Sequence, residues 1–307
     1  MHICIDLGGT NLRGTWVDQS GNCGELVYLS RPQSLDGTKQ TLMSLIRSLI
    51  SQAPQKPQGI GLASAGPLDH IQGKYLKTSN IPELDYFQVS DFLHSEFGLP
   101  VRMENDAQAA ALGEVWKGGL AGESQAVILT LGTGLGSGVI MQGKIWRAGH
   151  FTGPELGHIF LGLQQGRKCG CGQPGCAEVW LNKQALLDLA AQKGYSLKDL
   201  RELQFILDRN ETMGKAIMQE YGVRLGLYLS ILQVVFGFKS LGLSGGLSAY
   251  FPYCQEYVWS CLQQRFKYRQ WWLPERIVPS PDPELSAILG MARVFQIEQG
   301  QDGYGNC

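Results

Sequence analysis

Residues 3–15 read ICIDLGGTNLRGT, and this stretch decides how the chain begins to fold. An apolar run that contains Asp6 precedes a glycine-rich turn, and a second run of alternating apolar and polar residues follows it. The pattern predicts a β-hairpin. The turn Gly8-Gly9-Thr10 can bind phosphate through backbone amides and the Thr hydroxyl, and Asp6 can hold a Mg²⁺ ion through water. A hairpin turn without a ligand is the alternative.

A second stretch of the same form lies at residues 126–141. A buried strand is predicted at 126–131, a turn of sequence GTGLG at 132–136, and a further strand at 138–141. The turn lacks the lysine of the nucleotide P-loop, and no helical pattern follows it, so it is not a dinucleotide fingerprint. The turn lies between two strands, and its closely spaced glycines, which include Gly134 beside Thr133, let the backbone approach a phosphate. Two such turns favour a nucleotide held between two lobes.

The sequence ENDAQ at residues 104–108 places acidic and amide groups where a predicted strand meets an alanine-rich helix at 107–116. The carboxylate of Asp106 could accept the proton of a sugar hydroxyl, and Asn105 could bind a neighbouring hydroxyl. The alternative is that Asp106 only caps the helix. Position alone favours the cap.

A cysteine cluster has the spacing of a metal site. His158 is followed by Cys169, Cys171 and Cys176 in a loop rich in glycine. Three thiolates and one imidazole complete the tetrahedral shell of a structural zinc ion. Buried free thiols are the alternative, which the crowding of three cysteines in one glycine-rich loop disfavours. The spacing differs from that of a two-CxxC finger.

Two carboxylates flank the predicted zinc site. Glu155 precedes His158 by three residues, and Glu178 follows Cys176 by two. A zinc loop at 158–178 would hold Glu155, His158 and Glu178 together on a rigid base. Fixed polar groups of this kind suit the recognition of a polyol.

Composition narrows the class of protein. The chain has 307 residues, with 26 Lys and Arg against 27 Asp and Glu, so its formal charge is −1. This balance does not favour nucleic acid or an acidic membrane surface. No apolar run approaches the roughly 20 residues that span a bilayer, and no signal peptide precedes the first strand. A cytoplasmic protein is expected.

Helical patterns dominate the second half of the chain. Besides the helix at 107–116, apolar spacing predicts helices at 38–50, 181–191, 213–236, 252–266 and 284–296. Short apolar runs predict strands at 59–64, 101–104 and 240–243.

Taken in order, these motifs resemble those of the ROK family of bacterial sugar kinases, repressors and related proteins. The resemblance rests on five motifs and covers nearly the whole chain, from residue 3 to about 290. The motifs are DxGGT at 6–10, ND at 105–106, GTGxG at 132–136, ExGH at 155–158, and CxCGxxGCxE at 169–178.

The resemblance implies an α/β protein with the actin-like ATPase (hexokinase-like) fold. Two α/β lobes would bind ATP and Mg²⁺ in the cleft between them. We expect a small lobe at 1–117, with a C-terminal helix at about 285–298 packing back on it, and a large lobe at 118–284 that contains the zinc loop. A homodimer is also expected.

The resemblance further assigns roles to individual residues. Asp106 would be the catalytic base, and His158 would use one ring nitrogen for zinc and the other for the sugar. The sugar would contact Asn105, Glu155, His158, Glu178, Gly66 and Asn80. The nucleotide and its metal would contact Asp6, Gly8, Gly9, Thr10, Thr133, Gly134, Gly245 and Gly246.

The expected activity is ATP-dependent phosphorylation of a hexose at its 6-hydroxyl. Glucose, N-acetylmannosamine and N-acetylglucosamine are the leading substrates. Gln108, Pro154 and Ser137 depart from common residues of the family, which puts the substrate preference in doubt but removes no catalytic group.

Two alternatives have no catalysis. The first is a sugar-responsive repressor, which in this family carries a helix-turn-helix segment before the first motif; with Asp6 at the sixth position we expect no such segment. The second is a sugar-binding protein, which the presence of Asp106 and both glycine turns disfavours.

Overall fold

The structure, a computed structural model, describes residues 1–78, 80–147, 153–162, 167–209 and 212–298. The chain forms two compact units. Unit 1 comprises Met1–Ile128, Ser137–Pro154 and the described residues from Ser280 onward, and unit 2 comprises Leu129–Gly136 and Glu155–Pro279. The lobe limits at 117/118 and 284/285 stay a prediction. Residues 163–166 of the predicted zinc loop lie outside the described residues.

Most strands lie in the first half of the chain, and most helices lie in the second. The strands are β1 (His2–Leu7), β2 (Asn11–Val17), β3 (Val27–Ser30), β4 (Ile60–Ser64), β5 (Leu68–Asp69), β6 (Lys74–Tyr75), β7 (Val101–Asn105), β8 (Ala126–Leu131), β9 (Leu135–Met141), β10 (Lys144–Ile145), β11 (Ser240–Ser244) and β12 (Arg276–Pro279). The helices are α1 (Leu35–Gln52), α2 (Val89–Phe97), α3 (Asp106–Trp116), α4 (Glu178–Leu181), α5 (Lys183–Gln192), α6 (Leu200–Asp208), α7 (Thr212–Phe236), α8 (Phe251–Arg265) and α9 (Ser286–Glu298).

Unit 1 contains a five-stranded sheet of order β3-β2-β1-β4-β7. β1 and β2 form the predicted antiparallel hairpin, whereas β1, β4 and β7 run parallel. Successive side chains of β1 point to opposite faces, so Ile3 and Ile5 pack in one buried cluster and Cys4 in another. The first cluster includes apolar residues of α1 and α2, and the second includes residues of α3 and α9. The sheet of unit 1 is therefore covered by helices on both faces.

Two glycines let α3 and α9 cross closely. A Cβ atom on Gly113 would lie 1.9 Å from the carbonyl oxygen of Ser286, and one on Gly290 would lie 1.8 Å from that of Ala109. Neither gap admits a methyl group, because the neighbouring atoms belong to backbone. The crossing fixes α3, whose first turn carries Asp106.

A second five-stranded sheet has the order β10-β9-β8-β11-β12, with β11 and β12 parallel. In unit 2, α7 packs along α8, again through glycines. A Cβ on Gly222 would lie 2.8 Å from the Cys254 carbonyl oxygen, and one on Gly226 would lie 2.7 Å from the Cys261 Cβ. No helix within the described ranges is both long and apolar enough to cross a membrane.

The structure corrects the helix predicted at 181–191. Two helices meet there, because α4 ends at Leu181 and α5 begins at Lys183. Asn182 has an extended backbone, and its side chain accepts a hydrogen bond from the Ala185 amide as the N-cap of α5. The apolar periodicity could not show this break, since the cap interrupts the backbone and not the pattern.

Candidate functional site

Three parallel strands of unit 1 bring predicted site residues to one edge of the sheet. In the register, Leu7 of β1 pairs with Ser64 of β4, and Ser64 pairs with Asn105 of β7. The turn that begins at Gly8 and the segment that contains Gly66 therefore leave the sheet at the same edge as Asn105. A Cβ atom on Gly66 would lie 3.4 Å from the Asn105 side-chain nitrogen.

Asn105, and not Asp106, caps α3. The Asn105 side-chain oxygen accepts hydrogen bonds from the amides of Ala107 (3.0 Å) and Gln108 (3.2 Å), and its backbone is extended. Asp106 is the first helical residue, half-buried, with Oδ1 2.8 Å from the Ala107 amide nitrogen. The interpretation of Asp106 as the N-cap is thus wrong. The cap uses the Asn105 side-chain oxygen and not its side-chain NH₂.

An ion pair between a buried carboxylate and a half-buried arginine supports this strand end. Glu104 is almost fully buried, and its carboxylate pairs with the Arg147 guanidinium and accepts a hydrogen bond from the Asn105 amide. Arg147 also donates to the Gln108 side-chain oxygen over 3.2 Å. The amide group of Gln108 packs against Gly153, where a Cβ would lie 2.7 Å away. Sequence reasoning missed Arg147, because nothing in its local pattern indicates its distant partner.

A second hydrogen-bond chain links β1, β4 and β6. The Tyr75 hydroxyl donates to Ser64 Oγ (2.8 Å), which donates to the Leu7 carbonyl (3.2 Å). Burial raises the pKa of the Tyr75 phenol; the hydrogen bond with Ser64 and the charge of Arg31 oppose this rise, and the charges of Asp106 and Asp6 add to it. Tyr75 is therefore a neutral, buried phenol beside the predicted site, which the sequence pattern did not single out.

The remaining predicted residues of unit 1 lie in β1, near its end, and in turns. Asp6 Oδ2 accepts hydrogen bonds from Arg13 Nε (2.9 Å) and Nη2 (2.6 Å), directly across the hairpin. Gly9 and Thr10 are exposed. Asn80 is also exposed, and it lies just before the 3₁₀ turn Pro82–Leu84.

In unit 2, the glycine turn 132–136 is held by hydrogen bonds from the α4–α5 region. The Lys183 amide donates to the Gly132 carbonyl (2.7 Å), and the Asn182 side chain donates to the Thr133 carbonyl (3.0 Å). Glu178 Oε2 accepts from the Leu135 amide (3.1 Å). The first two of these hydrogen bonds hold the carbonyl groups of Gly132 and Thr133 against the residues that join α4 and α5.

The loop at 244–246 adjoins the same turn. Gly245 has a φ of +79°, and a Cβ there would lie 2.4 Å from the Leu131 carbonyl oxygen. The Leu247 amide donates to that same oxygen over 3.0 Å. Gly246 follows in an open position, because a Cβ there would meet nothing within 4 Å. The structure therefore places Gly245 against Leu131, the residue just before the turn that contains Thr133 and Gly134.

The four predicted metal ligands converge in unit 2. The ligand atoms of His158, Cys169, Cys171 and Cys176 all lie within 4.8 Å of one another. Cys171 Sγ lies 3.6 Å from Cys176 Sγ, and Cys169 Sγ lies 3.4 Å from His158 Nδ1. Tetrahedral zinc with bonds of about 2.3 Å to sulfur and about 2.05 Å to nitrogen implies separations of about 3.8 Å and 3.6 Å. The donor set and its spacing fit a zinc ion.

Two backbone hydrogen bonds join the segment after His158 to the segment around Cys176. The Leu161 amide donates to the Gly175 carbonyl (2.9 Å), and the Ala177 amide donates to the Ile159 carbonyl (2.9 Å). Burial raises the pKa of the Cys169 thiol, whereas the backbone amide of residue 173 lowers the pKa of the Cys171 thiol.

Glu155, His158 and Glu178 lie around the cluster, as the spacing predicted. His158 turns Nδ1 toward Cys169, and its Nε2 lies 4.0 Å from Glu155 Oε2. Cys169 Sγ donates to Glu178 Oε1 over 3.1 Å. A Cβ on Gly157 would lie 2.1 Å from the Leu135 carbonyl oxygen, so the ExGH segment also reaches the glycine turn. Glu178 contacts both the cysteine cluster and that turn.

Comparison with known protein families shows which family the chain belongs to. The model of the ROK family matches residues 2–298. The chain belongs to the ROK family. The resemblance inferred from the five motifs is thereby confirmed, and the family includes proteins named as kinases and as repressors.

Individual relatives show both kinds of protein. A glucokinase of Streptomyces coelicolor is 31% identical over 67% of this chain and 63% of its own length, so the match spans less than two thirds of that relative. A xylose repressor of Bacillus spizizenii is 27% identical over 95% of this chain and 76% of its own length.

A solved structure shows the fold. The ROK hexokinase from Thermus thermophilus is 28% identical, with a TM-score of 0.80 over 97% of this chain and 99% of that one. The predicted actin-like, hexokinase-like α/β fold is confirmed by this similarity.

The N-cap of α3 can be tested by substitution. We expect Asn105→Ala to lower the free energy of unfolding by about 1 kcal/mol, because two amides of the first turn lose their acceptor. Asn105→Asp keeps a capping oxygen and should stay within a few tenths of a kcal/mol of the wild type. Urea unfolding measures both. Equal losses in the two variants would refute the capping role.

Proposed function

We propose that this protein is an ATP-dependent hexose kinase that phosphorylates the 6-hydroxyl of its substrate, with Asp106 as the catalytic base. The observation that carries the proposal is that Asn105 and Asp106 differ in role at the start of α3. Asn105 caps the helix, so Asp106 is not needed for that task. Its carboxylate lies at the strand edge that also presents the turn Gly8–Thr10 and Gly66.

In this proposal, unit 1 supplies the chemistry at the accepting hydroxyl. Asp106 accepts the hydroxyl proton as the oxygen attacks the terminal phosphoryl group. The Asn105 side-chain NH₂ donates to a neighbouring hydroxyl, and Gly66 and Asn80 complete the sugar contacts. Phosphoryl transfer needs mainly positioning and charge stabilisation, so a correctly placed base and fixed donors are what the protein must provide.

The sugar contacts in unit 2 would come from the groups around the cysteine cluster. His158 Nδ1 faces the cysteines, which leaves Nε2, on the side of Glu155, for a sugar hydroxyl. Glu155 and Glu178 accept hydrogen bonds from further hydroxyls. Zinc held by His158, Cys169, Cys171 and Cys176 would orient this imidazole without taking part in the reaction.

The phosphates of ATP would lie against Gly8, Gly9, Thr10, Thr133 and Gly134, with Gly245 and Gly246 near the adenosine. Mg²⁺ would offset the negative charge of the phosphates, and Asp6 would hold this ion through water. The open surface at Gly9 and Gly246 supports these assignments.

The substrate is proposed to be glucose or an N-acetylhexosamine, either N-acetylmannosamine or N-acetylglucosamine. Glucokinases among the relatives support the first. The test is a panel of these hexoses and fructose at saturating ATP, with ADP formation followed in a coupled assay. We expect turnover with at least one pyranose substrate and weaker turnover with fructose. Absence of sugar-dependent ADP formation across the panel would overturn the kinase proposal.

A base at Asp106 predicts a separation of binding from turnover. We expect Asp106→Asn to lower kcat by roughly 10²–10⁴-fold, because the hydroxyl loses its proton acceptor. Sugar affinity should change little, since the amide keeps the shape of the side chain. Steady-state kinetics and calorimetric sugar binding measure the two effects. Asp36→Asn, an exposed change on α1, is the control. Near-normal turnover by Asp106→Asn would reject the assignment.

The zinc assignment predicts a joint loss of metal and sugar affinity. Purified wild-type protein should carry zinc in near-equimolar amount. Cys171→Ser should lose most of it and bind sugar about tenfold more weakly, because His158 is no longer oriented. Elemental analysis and calorimetry measure these effects, and Cys261→Ser, a cysteine of α8, is the control. Full sugar affinity in a zinc-free protein would contradict the assignment.

A sugar-responsive regulator is the second candidate, and the similarity to the xylose repressor of Bacillus spizizenii favours it. The hexose panel separates the two functions. A regulator binds a sugar without forming ADP, whereas the kinase consumes ATP in proportion to the sugar added. We further propose, by likeness to the family, a cytoplasmic homodimer whose chain has a small lobe at 1–117 and a large lobe at 118–284.

A further inference from the structure

Arg31 forms hydrogen bonds to the first glycine turn from the buried side of the turn. Its side chain is fully buried. Nε donates to the carbonyls of Gly8 (3.1 Å) and Gly9 (3.0 Å), and Nη2 donates to that of Gly9 (2.6 Å). The Arg31 backbone amide donates to the Thr10 carbonyl (2.8 Å). One residue thus holds three consecutive carbonyl groups of the turn.

Holding the carbonyls also orients the amides. In a trans peptide the C=O and N–H bonds point in opposite directions. With the Gly8 and Gly9 carbonyls directed at Arg31, the N–H groups of Gly9 and Thr10 must point away from it. That side of the turn is open, because Gly9 and Thr10 are exposed and a Cβ on Gly9 would meet nothing within 4 Å. The result is a pair of outward amides, which suits an anion.

The guanidinium is itself firmly placed. Its Nη1 pairs with the Glu83 carboxylate and lies 3.4 Å from Thr38 Oγ1. Burial raises the pKa of the Glu83 carboxyl, but the hydrogen bond from Arg31, a backbone hydrogen bond and the charge of Arg31 together outweigh it, so this pKa lies below its ordinary value. A charged partner balances the buried cation. Since the Glu83 contact uses Nη1 and the turn contacts use Nε and Nη2, the two tasks of Arg31 can be separated.

We propose that Arg31 is a positioning residue for nucleotide binding, which orients the Gly9 and Thr10 amides toward the phosphates. The inference rests on the proposed kinase function. Lysine cannot replace it, because one ammonium group lacks the planar fork that reaches both carbonyls and Glu83. The competing explanation is a purely structural ion pair that joins the end of β3 to the turn Pro82–Leu84.

The experiment compares two variants that divide these tasks. Arg31→Lys keeps a cation for Glu83 but loses the fork on the glycine turn, whereas Glu83→Gln loses the ion pair but keeps the turn contacts. Arg47→Lys, an exposed arginine of α1, is the matched control. The measurements are calorimetric affinity for MgADP, affinity for the hexose with the highest turnover, and thermal unfolding.

We expect Arg31→Lys to weaken MgADP binding by roughly 10–100-fold, as for the loss of one charge-assisted hydrogen bond. Its hexose affinity should stay within twofold of the wild type. Glu83→Gln should lower the unfolding temperature but leave MgADP affinity within about threefold. MgADP affinity that is normal in Arg31→Lys, or that falls equally in both variants along with stability, would overturn the proposal.

Hydrogen exchange on the wild type keeps the test decisive if Arg31→Lys does not fold. We expect MgADP to slow exchange of the Gly9 and Thr10 amides and the hexose alone to leave it unchanged. Unaltered exchange with MgADP bound would overturn the inference. A wild type that binds MgADP and phosphorylates a hexose upholds the proposed function whatever Arg31 does, so the two failures are distinguishable.

Discussion

Much of unit 1 depends on the parallel backbone register of β1, β4 and β7. Leu7, Ser64 and Asn105 lie side by side in three neighbouring strands, and each strand ends at the same edge. Parallel strands must leave a sheet in the same direction, so the segments that follow them meet without any further contact being required. The glycine turn, Gly66 and Asp106 owe their proximity to this constraint.

Side chains then refine what the register brings together. Arg31 holds the glycine turn, the Glu104–Arg147 pair holds the strand that precedes Asn105, and Ser64 with Tyr75 closes the space between β1 and β4. Arg31, Glu104, Ser64 and Tyr75 are buried polar residues that have hydrogen-bond partners, as burial demands. Such groups are costly to displace, so the turns they support keep a defined conformation.

Unit 2 relies on Glu178 in a comparable way. One oxygen of its carboxylate accepts from the Leu135 amide, and the other accepts from the Cys169 thiol. A single residue therefore contacts both the glycine turn and the cysteine cluster. The close approach of Gly157 to Leu135 adds a second connection between the same two features.

The sequence by itself determined the motifs, the hairpin and the candidate metal ligands, because these depend on short spacing: glycines between two apolar runs, and cysteines two and five residues apart. It also supported the family, since five motifs in order are specific. Only the tertiary structure decided that Asn105 caps α3, that α4 and α5 are separate, and that Arg31, Arg147 and Tyr75 support the predicted residues. The physical reason is the sequence distance over which each feature acts. Capping depends on backbone angles at one residue, and buried polar pairs such as Arg31–Glu83 join residues far apart in the chain, so neither leaves a periodic trace in the sequence.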